Sequence, residues 1–508
     1  MNSANQERVV KQISSRSLNA LRSFLETSLE SRLKQSQQNS PEKAIIQLFQ
    51  KISQNVPAYQ SFLAEHQIDP RSLSTIADFQ TLPRTNKQNY IQKYSLNELC
   101  LDGKLESCDF IAVSSGSTGK STFWPRFIGD EYQVATRFEQ IFYDSFQADR
   151  GHTLAVVCFS MGTWVGGMYT ANCCRHLAAK GYPITVVTPG NNLKEILRVI
   201  EDLAPLFERV VLLGYPPFLK NVIDRGIEQE VLWQQYNIKL VMAGEVFSEE
   251  WRNIVMEKIG SINSCFDSAS LYGTADAGVL GNETPLSICI RRFFANNPDA
   301  TQEFFGQSRL PTLLQYDPLS RYFEVQDGTL LFSGDNGIPL IRYHIADTGG
   351  IVGYEEMLQY LKTKGFDPIA ELSVKNNRGI RTLPFVYVFG RSNFILSYYG
   401  ANIYPENIQV GLEQPGIQNW VTGKFVMEIK QDPQANSSFH IAVELVPGLS
   451  ISEGLKNAIA FSIYTQLIRL NSEYANYVAP QYQLPHTTLY EFGNQEYFPV
   501  GVKHRYTR

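Results

Sequence analysis

The sequence predicts an α/β protein: a large N-terminal domain of mixed and parallel sheets with helices, then a small α+β C-terminal domain. Three observations carry this. Apolar runs of strand length recur with helical stretches between them: "TLAVVCF" at 153, "PITVVT" at 183, "RVVLLG" at 209 and "IKLVMAG" at 238. Such continuous runs fit parallel strands buried on both faces. From about Thr329 the texture changes to short segments broken by Gly, Asp and Pro, as in "TLLFSGDNGIPLIRYHIADTGGIV". Beyond Gly390 a unit of strand, helix, strand, strand, helix, strand follows, built on "FVMEIKQ", "FHIAVELV" and a helix through "EGLKNAIAFSIYTQLIRLN". A chain of 508 residues suffices for two or three domains. The expected division is residues 1–390 and 391–508.

In chain order, the opening segment through Glu30 mixes both charge signs with apolar residues, lacks a signal-peptide core and reads as a surface helix. The polar patch "KQSQQNS", Lys34 to Ser40, reads as a loop. "DFIAV" reads as a strand, and "STFWPR" as strand-like. Asp130, with Gln133 three residues on, is expected to open a helix through "EYQVATRFEQIFYDSF". Thr153 to Cys174 carries no Asp, Glu, Lys or Arg. Its centre is rich in Gly, Ser and Thr, so a buried strand, a loop and a helix start are expected there, with no membrane span. Between the second and third apolar runs, "NNLKEILRVIEDLAPLF" has apolar residues three and four apart, as on one helix face.

Forty-five Lys and Arg against fifty Asp and Glu, a net charge of -5, argue against a nucleic-acid binder. The seven cysteines show neither zinc spacing nor a disulfide framework, which suits a reducing, cytoplasmic setting.

The stretch "VSSGSTGKST" concentrates the types that hold phosphate. Gly116 and Gly119 let the backbone turn so that amides converge on an anion; Ser114, Ser115, Ser117 and Thr118 offer hydroxyls, and Lys120 adds charge. The GK[ST] tail resembles a Walker loop, but Ser114 stands where its leading glycine belongs and a strand-like segment with Pro125 follows in place of a helix. By itself the loop is equally well a solvated turn.

Six segments in order, "VSSGSTGKST", "VMAGEVFSEEWR", "LYGTADAG", "LIRYHIADTGG", "VFGRSNFILSYYGANIYPENI" and "GVKHRYTR", resemble the adenylate-forming, acyl-CoA synthetase-like superfamily. "VPAYQSFL" followed by "LPRTNKQNYIQKYS" resembles its phenylacetate-CoA ligase branch. The likeness runs over essentially the whole chain from about residue 55 onward. It implies that a small carboxylic acid reacts with ATP and Mg²⁺ to give an acyl-adenylate and pyrophosphate, and that a thiol, usually coenzyme A, then takes the acyl group. It also implies a C-terminal domain that rotates between the two half-reactions, and a homodimer.

By this resemblance the loop Ser114, Ser115, Gly116, Ser117, Thr118, Gly119 and Lys120 wraps the β- and γ-phosphates. Asp276 stands where the family has its magnesium-binding glutamate, and Tyr272 with Gly273 flanks the adenine. Asp347 matches the aspartate that accepts both ribose hydroxyls, a role open to one carboxylate with two oxygens. Arg391 matches the linker arginine, and Lys503 the lysine that bridges carboxylate and α-phosphate. Gly244 and Glu245 lie beside the adenine and acyl sites, and Phe159, Met161, Trp164 and Tyr215 are expected to line the acyl pocket.

Taken alone, "YGTADAG" is a turn of small residues, lone charges are commonly surface ion-pair members, and aromatic and Met side chains commonly fill core. Three departures from the family pattern stand out: Ala275 replaces the usual Ser or Thr, the linker carries Asn393 at or beside the place of an acidic pivot, and "GVK" at Lys503 replaces the commoner adjacent glycine and lysine. Three rivals follow: transfer of the acyl group to a carrier or protein thiol or to an amine, a catalytically impaired nucleotide-binding protein, and a Walker-type kinase that releases ADP.

Overall fold

The computed structural model describes residues 15–114, 122–163, 165–244, 246–307, 309–373, 378–391, 396–399, 401–431, 437–471, 474–475, 478, 480–499 and 506–507. Strands β1 (Phe110–Val113) and β2 (Phe123–Arg126) form a two-stranded antiparallel sheet, with Ile111 opposite Pro125 and Val113 opposite Phe123. The four apolar runs become β3 (Thr153–Val157), β4 (Ile184–Val187), β5 (Arg209–Gly214) and β6 (Ile238–Ala243), and β7 (Ser268–Thr274) follows them. They pair in parallel in the order β4-β3-β5-β6-β7. An antiparallel half continues the same sheet through β8 (Gly278–Asn282), β9 (Thr312–Gln315), β10 (Tyr322–Gln326), β11 (Thr329–Gly334), β12 (Leu340–Val352) and β13 (Phe385–Arg391). The whole is 11-stranded, in the order β10-β11-β12-β13-β9-β8-β7-β6-β5-β3-β4.

Side chains alternate across the parallel strands, and both faces are covered. Leu154 and Val156 of β3 pack with Ile196, Ile200 and Trp251 on one side. Ala155 and Val157 pack with Phe138, Phe142 and Leu177 on the other. Burying each of the larger residues contributes about 1.5–3 kcal/mol, so the unbroken apolar runs record burial on two faces. The helix Leu193–Leu203 forms where the spacing predicts it, with the Asn192 side chain capping Glu195 N at 3.2 Å. Over the antiparallel half lie the helices Pro41–Asn55 and Pro57–Glu65, whose Phe49, Ile52 and Tyr59 pack with Phe323, Phe332 and Tyr343.

Beyond β13 the chain forms the hairpin β14 (Leu396–Tyr398) and β15 (Ala401–Ile403), then a sheet of β16 (Val421–Gln431), β17 (Ser437–Leu445) and β18 (His486–Tyr490). Helices Pro405–Leu412 and Glu453–Leu470 pack together beside it, so closely that a Cβ on Gly411 would stand 2.6 Å from Ile463 Cα. Tyr398, Phe425, Phe439, Ile459 and Tyr474 share a core of their own. Among the described residues no helix is long and apolar enough to cross a membrane.

Two local expectations are corrected. Lys34 to Gln38 are helical, the end of the helix Leu29–Gln38, because Lys and Gln are good helix formers and Leu29, Leu33 and Ser36 are buried together along it. Polarity alone misread them as loop. The helix expected to open at Asp130 runs Ile128–Gln140, and Asp130 caps it from inside, its carboxylate accepting Phe127 N at 3.3 Å.

The C-terminal unit meets the large sheet domain through the helix Pro405–Leu412 and the residues after it. Gln409 donates to Val246 O at 3.1 Å, Lys220 to Gln418 O at 3.3 Å, and Glu406 lies 3.5 Å from Arg309. The Glu413 carboxylate meets the Ser248 hydroxyl, and burial pushes its pKa up to about 8. Ser248 and Gln409 hydrogen bonds and the Arg291 charge oppose that rise, the Glu250 charge adds to it, and Lys220 also faces the group. A carboxylate with a raised folded pKa stabilises fully below its unfolded value and loses that contribution as pH rises through about 8. Glu413→Gln is therefore expected to flatten the fall in melting temperature between about pH 4.5 and 8, by a few degrees at the alkaline end. Parallel melts of both proteins across that range check it.

Candidate active site

The phosphate-suited loop is closed by a hairpin. Ser114 N donates to Thr122 O at 3.0 Å, and Thr122 N returns a bond to Ser114 Oγ at 3.2 Å. β2, not a helix, leaves the loop. Ser115, Gly116, Ser117, Thr118, Gly119 and Lys120 lie outside the described residues. Val113 N bonds Thr163 O at 3.0 Å, which ties the hairpin to the segment ahead of the helix Val165–Ala179.

Where β7 turns into β8, Ala275, Asp276 and Ala277 form the tip. The turn is tight: a Cβ on Gly273 would come within 2.5 Å of Gly278 O. Two tyrosine–carboxylate bonds cross between this region and β12. Tyr272 of β7 donates to Asp347 Oδ2 at 2.6 Å, and Tyr343 of β12 donates to Asp276 Oδ2 at 2.6 Å. Tyr343 is anchored in the core beside Phe332, so its hydroxyl is delivered from a fixed ring.

Asp347 owes its direction to an irregularity in β12. Leu331 pairs with His344 and Thr329 with Thr348, so two steps along β11 oppose four along β12. Ala346, inside this bulge, has φ +63°. Bulges of this kind re-aim side chains next to functional sites. Asp347 also sits directly opposite Arg391 in the β12–β13 register. The hairpin loop's base, the Asp276 turn, Asp347 and Arg391 are thus set by strands of known register.

Phe159 and Tyr215 meet edge to face, ring centroids 5.2 Å apart at 81°. Tyr215 is 36% exposed and Phe159 only 3%, so Tyr215 presents the surface and Phe159 backs it. Met161 lies against Gly167 and Gly190. Gly244 has φ +92°, and a Cβ there would stand 2.4 Å from Tyr215 Cε1. Both the backbone and the ring therefore require glycine. Gly244→Ala is expected to cost about 1–3 kcal/mol of stability, read by denaturant titration. Trp164, Glu245, Asn393 and Lys503 lie outside the described residues.

No protein-family model and no curated protein sequence matches the chain. Solved structures do. 2-Hydroxyisobutyryl-CoA ligase in the postadenylation state, in complex with R3-HIB-AMP, superposes with a TM-score of 0.64 at 14% identity, over 92% of this chain and 88% of that one. The same ligase in an open conformation with 2-HIB-AMP and CoA gives 0.52 at 14%, over 92% and 90%. In its thioesterification state it gives 0.50 at 15%, over 96% and 91%. The chain has the fold of an adenylate-forming CoA ligase.

On this ligase fold, the sequence motifs named Tyr272, Asp276 and Asp347 but not Tyr343, which couples the last two regions. The signal was there: Tyr343 stands four residues ahead of Asp347 within "LIRYHIADTGG". Among the described residues no group of three or more His, Cys, Asp or Glu side chains is gathered around a metal position. A single carboxylate such as Asp276 fits Mg²⁺ that arrives on nucleotide phosphates, which keeps few protein ligands. It does not fit a resident zinc, which takes three or four.

Proposed function

We propose that the protein is an AMP-forming ligase that activates a carboxylic acid with ATP and passes the acyl group to a thiol, coenzyme A first among acceptors. The observation that supports this most is the crossed pair Tyr272–Asp347 and Tyr343–Asp276, which ties the turn bearing Asp276 to the strand bearing Asp347 on this fold.

In the first step a carboxylate oxygen attacks the α-phosphorus, an oxygen–phosphorus bond to pyrophosphate breaks, and acyl-adenylate remains. In the second the thiolate sulfur attacks the acyl carbon and AMP leaves with its phosphate oxygen. A carboxylate is ionised at neutral pH, so the first step needs no general base; it needs two anions held together. Asp347 accepts the ribose hydroxyls, Tyr272 and Gly273 flank the adenine, and the Ser114 to Lys120 loop holds the outer phosphates. Asp276 would offer a hard oxygen to magnesium entering with ATP, an ion that would supply neutralisation of phosphate charge. Arg391 and Lys503 add fixed positive charge near the α-phosphate. Gly244 and Glu245 border the acyl site, with Phe159, Met161, Trp164 and Tyr215 around the acid.

Residues 1–390 form the nucleotide- and acid-binding domain in this reading, and 391–508 a domain that changes orientation between steps. The separate core of Tyr398, Phe425, Phe439, Ile459 and Tyr474 supports a C-terminal unit of its own. Phenylacetate and related aryl acids are the first substrates to try, on the resemblance of "LPRTNKQNYIQKYS" to that branch. Incubation with MgATP and a panel of aryl, arylacetic and fatty acids, with CoA, a carrier thiol or an amine offered in parallel, is expected to release AMP and to yield the acyl thioester with CoA. ADP as the nucleotide product would sink this reading.

A further inference from the structure

The turn bearing Asp276 is held from beneath by two buried arginines. Arg126, the last residue of β2, donates through Nη2 to Ala275 O and to Asp276 O, the latter at 3.1 Å. Arg321 donates through Nη2 to Ala277 O at 3.2 Å and to Asn336 Oδ1 at 2.9 Å. Three consecutive carbonyls are thus taken by guanidinium groups arriving from two directions. The Ala277 amide is bonded to Thr274 Oγ1 at 3.1 Å, so both sides of the tip's backbone are engaged.

Arg126 is 1% exposed and Arg321 3%. Close to both lies Asp130, fully buried, whose pKa burial pushes up to about 7 against the Arg126 and Arg321 charges, and which accepts Gly337 N at 2.6 Å. Gly337 has no room for a side chain: a Cβ would meet Pro125 O at 2.1 Å, so the 337 backbone is pressed onto the end of β2. Arg126 Nε, Arg321 Nε and Asp130 Oδ1 are buried with no hydrogen-bond partner. Each such atom costs about 1–3 kcal/mol, and a cluster kept at that cost points to a use other than stability.

We propose that Arg126 and Arg321 are positioning residues that clamp the Ala275–Ala277 carbonyls and so aim Asp276 at nucleotide-borne magnesium. Because Arg126 ends β2, the clamp also ties that strand to the Asp276 turn. This rests on the ligase reading above and assigns two residues that the motifs do not contain.

The test is calorimetric binding of ATP to the full chain, once with Mg²⁺ and once in EDTA, with amide hydrogen exchange over residues 273–279 as a second readout. Arg126→Met is expected to weaken MgATP binding about tenfold, the scale of a charge-assisted hydrogen bond, while metal-free ATP binding stays within about twofold. Exchange at the tip should speed by about tenfold. Arg126→Lys, which reaches one carbonyl at a time, gives about a threefold loss of MgATP binding and serves if the methionine variant does not fold. Equal losses with and without magnesium, or unchanged exchange at the tip, overturn the clamp. A wild-type chain that binds no ATP overturns the ligase reading and the clamp's role with it.

Discussion

Asp276→Asn is expected to reduce carboxylate-dependent AMP formation by about 10²–10³-fold, the scale seen when one preorganised electrostatic group is removed from a site. Asparagine keeps the size and can still accept from the Tyr343 hydroxyl, which now meets Asp276 Oδ2 at 2.6 Å. It loses the charge that magnesium requires. The loss should therefore appear with little change in melting temperature. Tyr343→Phe grades the effect: the carboxylate remains but one hydrogen bond that orients it is gone, for about a tenfold loss. Steady-state titrations of MgATP against both variants, with thermal melts alongside, check the order. A Tyr343→Phe loss equal to that of Asp276→Asn would mean that the bond, not the charge, matters.

Lys503→Ala is expected to divide the two half-reactions. Adenylation should fall by about 10³-fold, since a compact cation between two anions acts in that step. Transfer from a supplied acyl-adenylate to the thiol should change by less than about threefold if, as proposed, the C-terminal domain then presents another face. The chain after Lys503 is secured to the C-terminal unit: Met427 N donates to Tyr506 O at 2.7 Å, and the Tyr506 ring packs on Phe425 at 5.2 Å. Equal losses in both half-reactions would contradict a two-orientation cycle.

The parallel half of the sheet was legible because its burial is written as composition. "TLAVV" and "RVVLLG" have no polar alternation, and both faces of β3 and β5 are covered. The C-terminal strands were legible from alternation instead, Phe425 and Met427, and Phe439, Ile441 and Val443, falling every second residue on the core side. The helical end at Lys34 to Gln38 was not, since its polar residues face outward around Leu33 and Ser36. At the site, motif residues were found by likeness, while Tyr343, Arg126 and Arg321 were not. Arg126 and Arg321 act through crossings between elements far apart in the chain, Arg126 reaching Ala275, which no local pattern encodes; Tyr343 stood inside a motif, but its reach to Asp276 shows only in the fold. The Gly244 requirement likewise depends on Tyr215 arriving from the end of β5.

The central claim is that this fold joins a carboxylate to AMP. It is tested most directly by exchange of labelled pyrophosphate into ATP, in the presence of Mg²⁺ and a broad panel of carboxylic acids, with no thiol added. Exchange that depends on at least one acid, and that is abolished in Asp276→Asn, is the expected result. Folded protein that binds ATP but shows no acid-dependent exchange across the panel would contradict it.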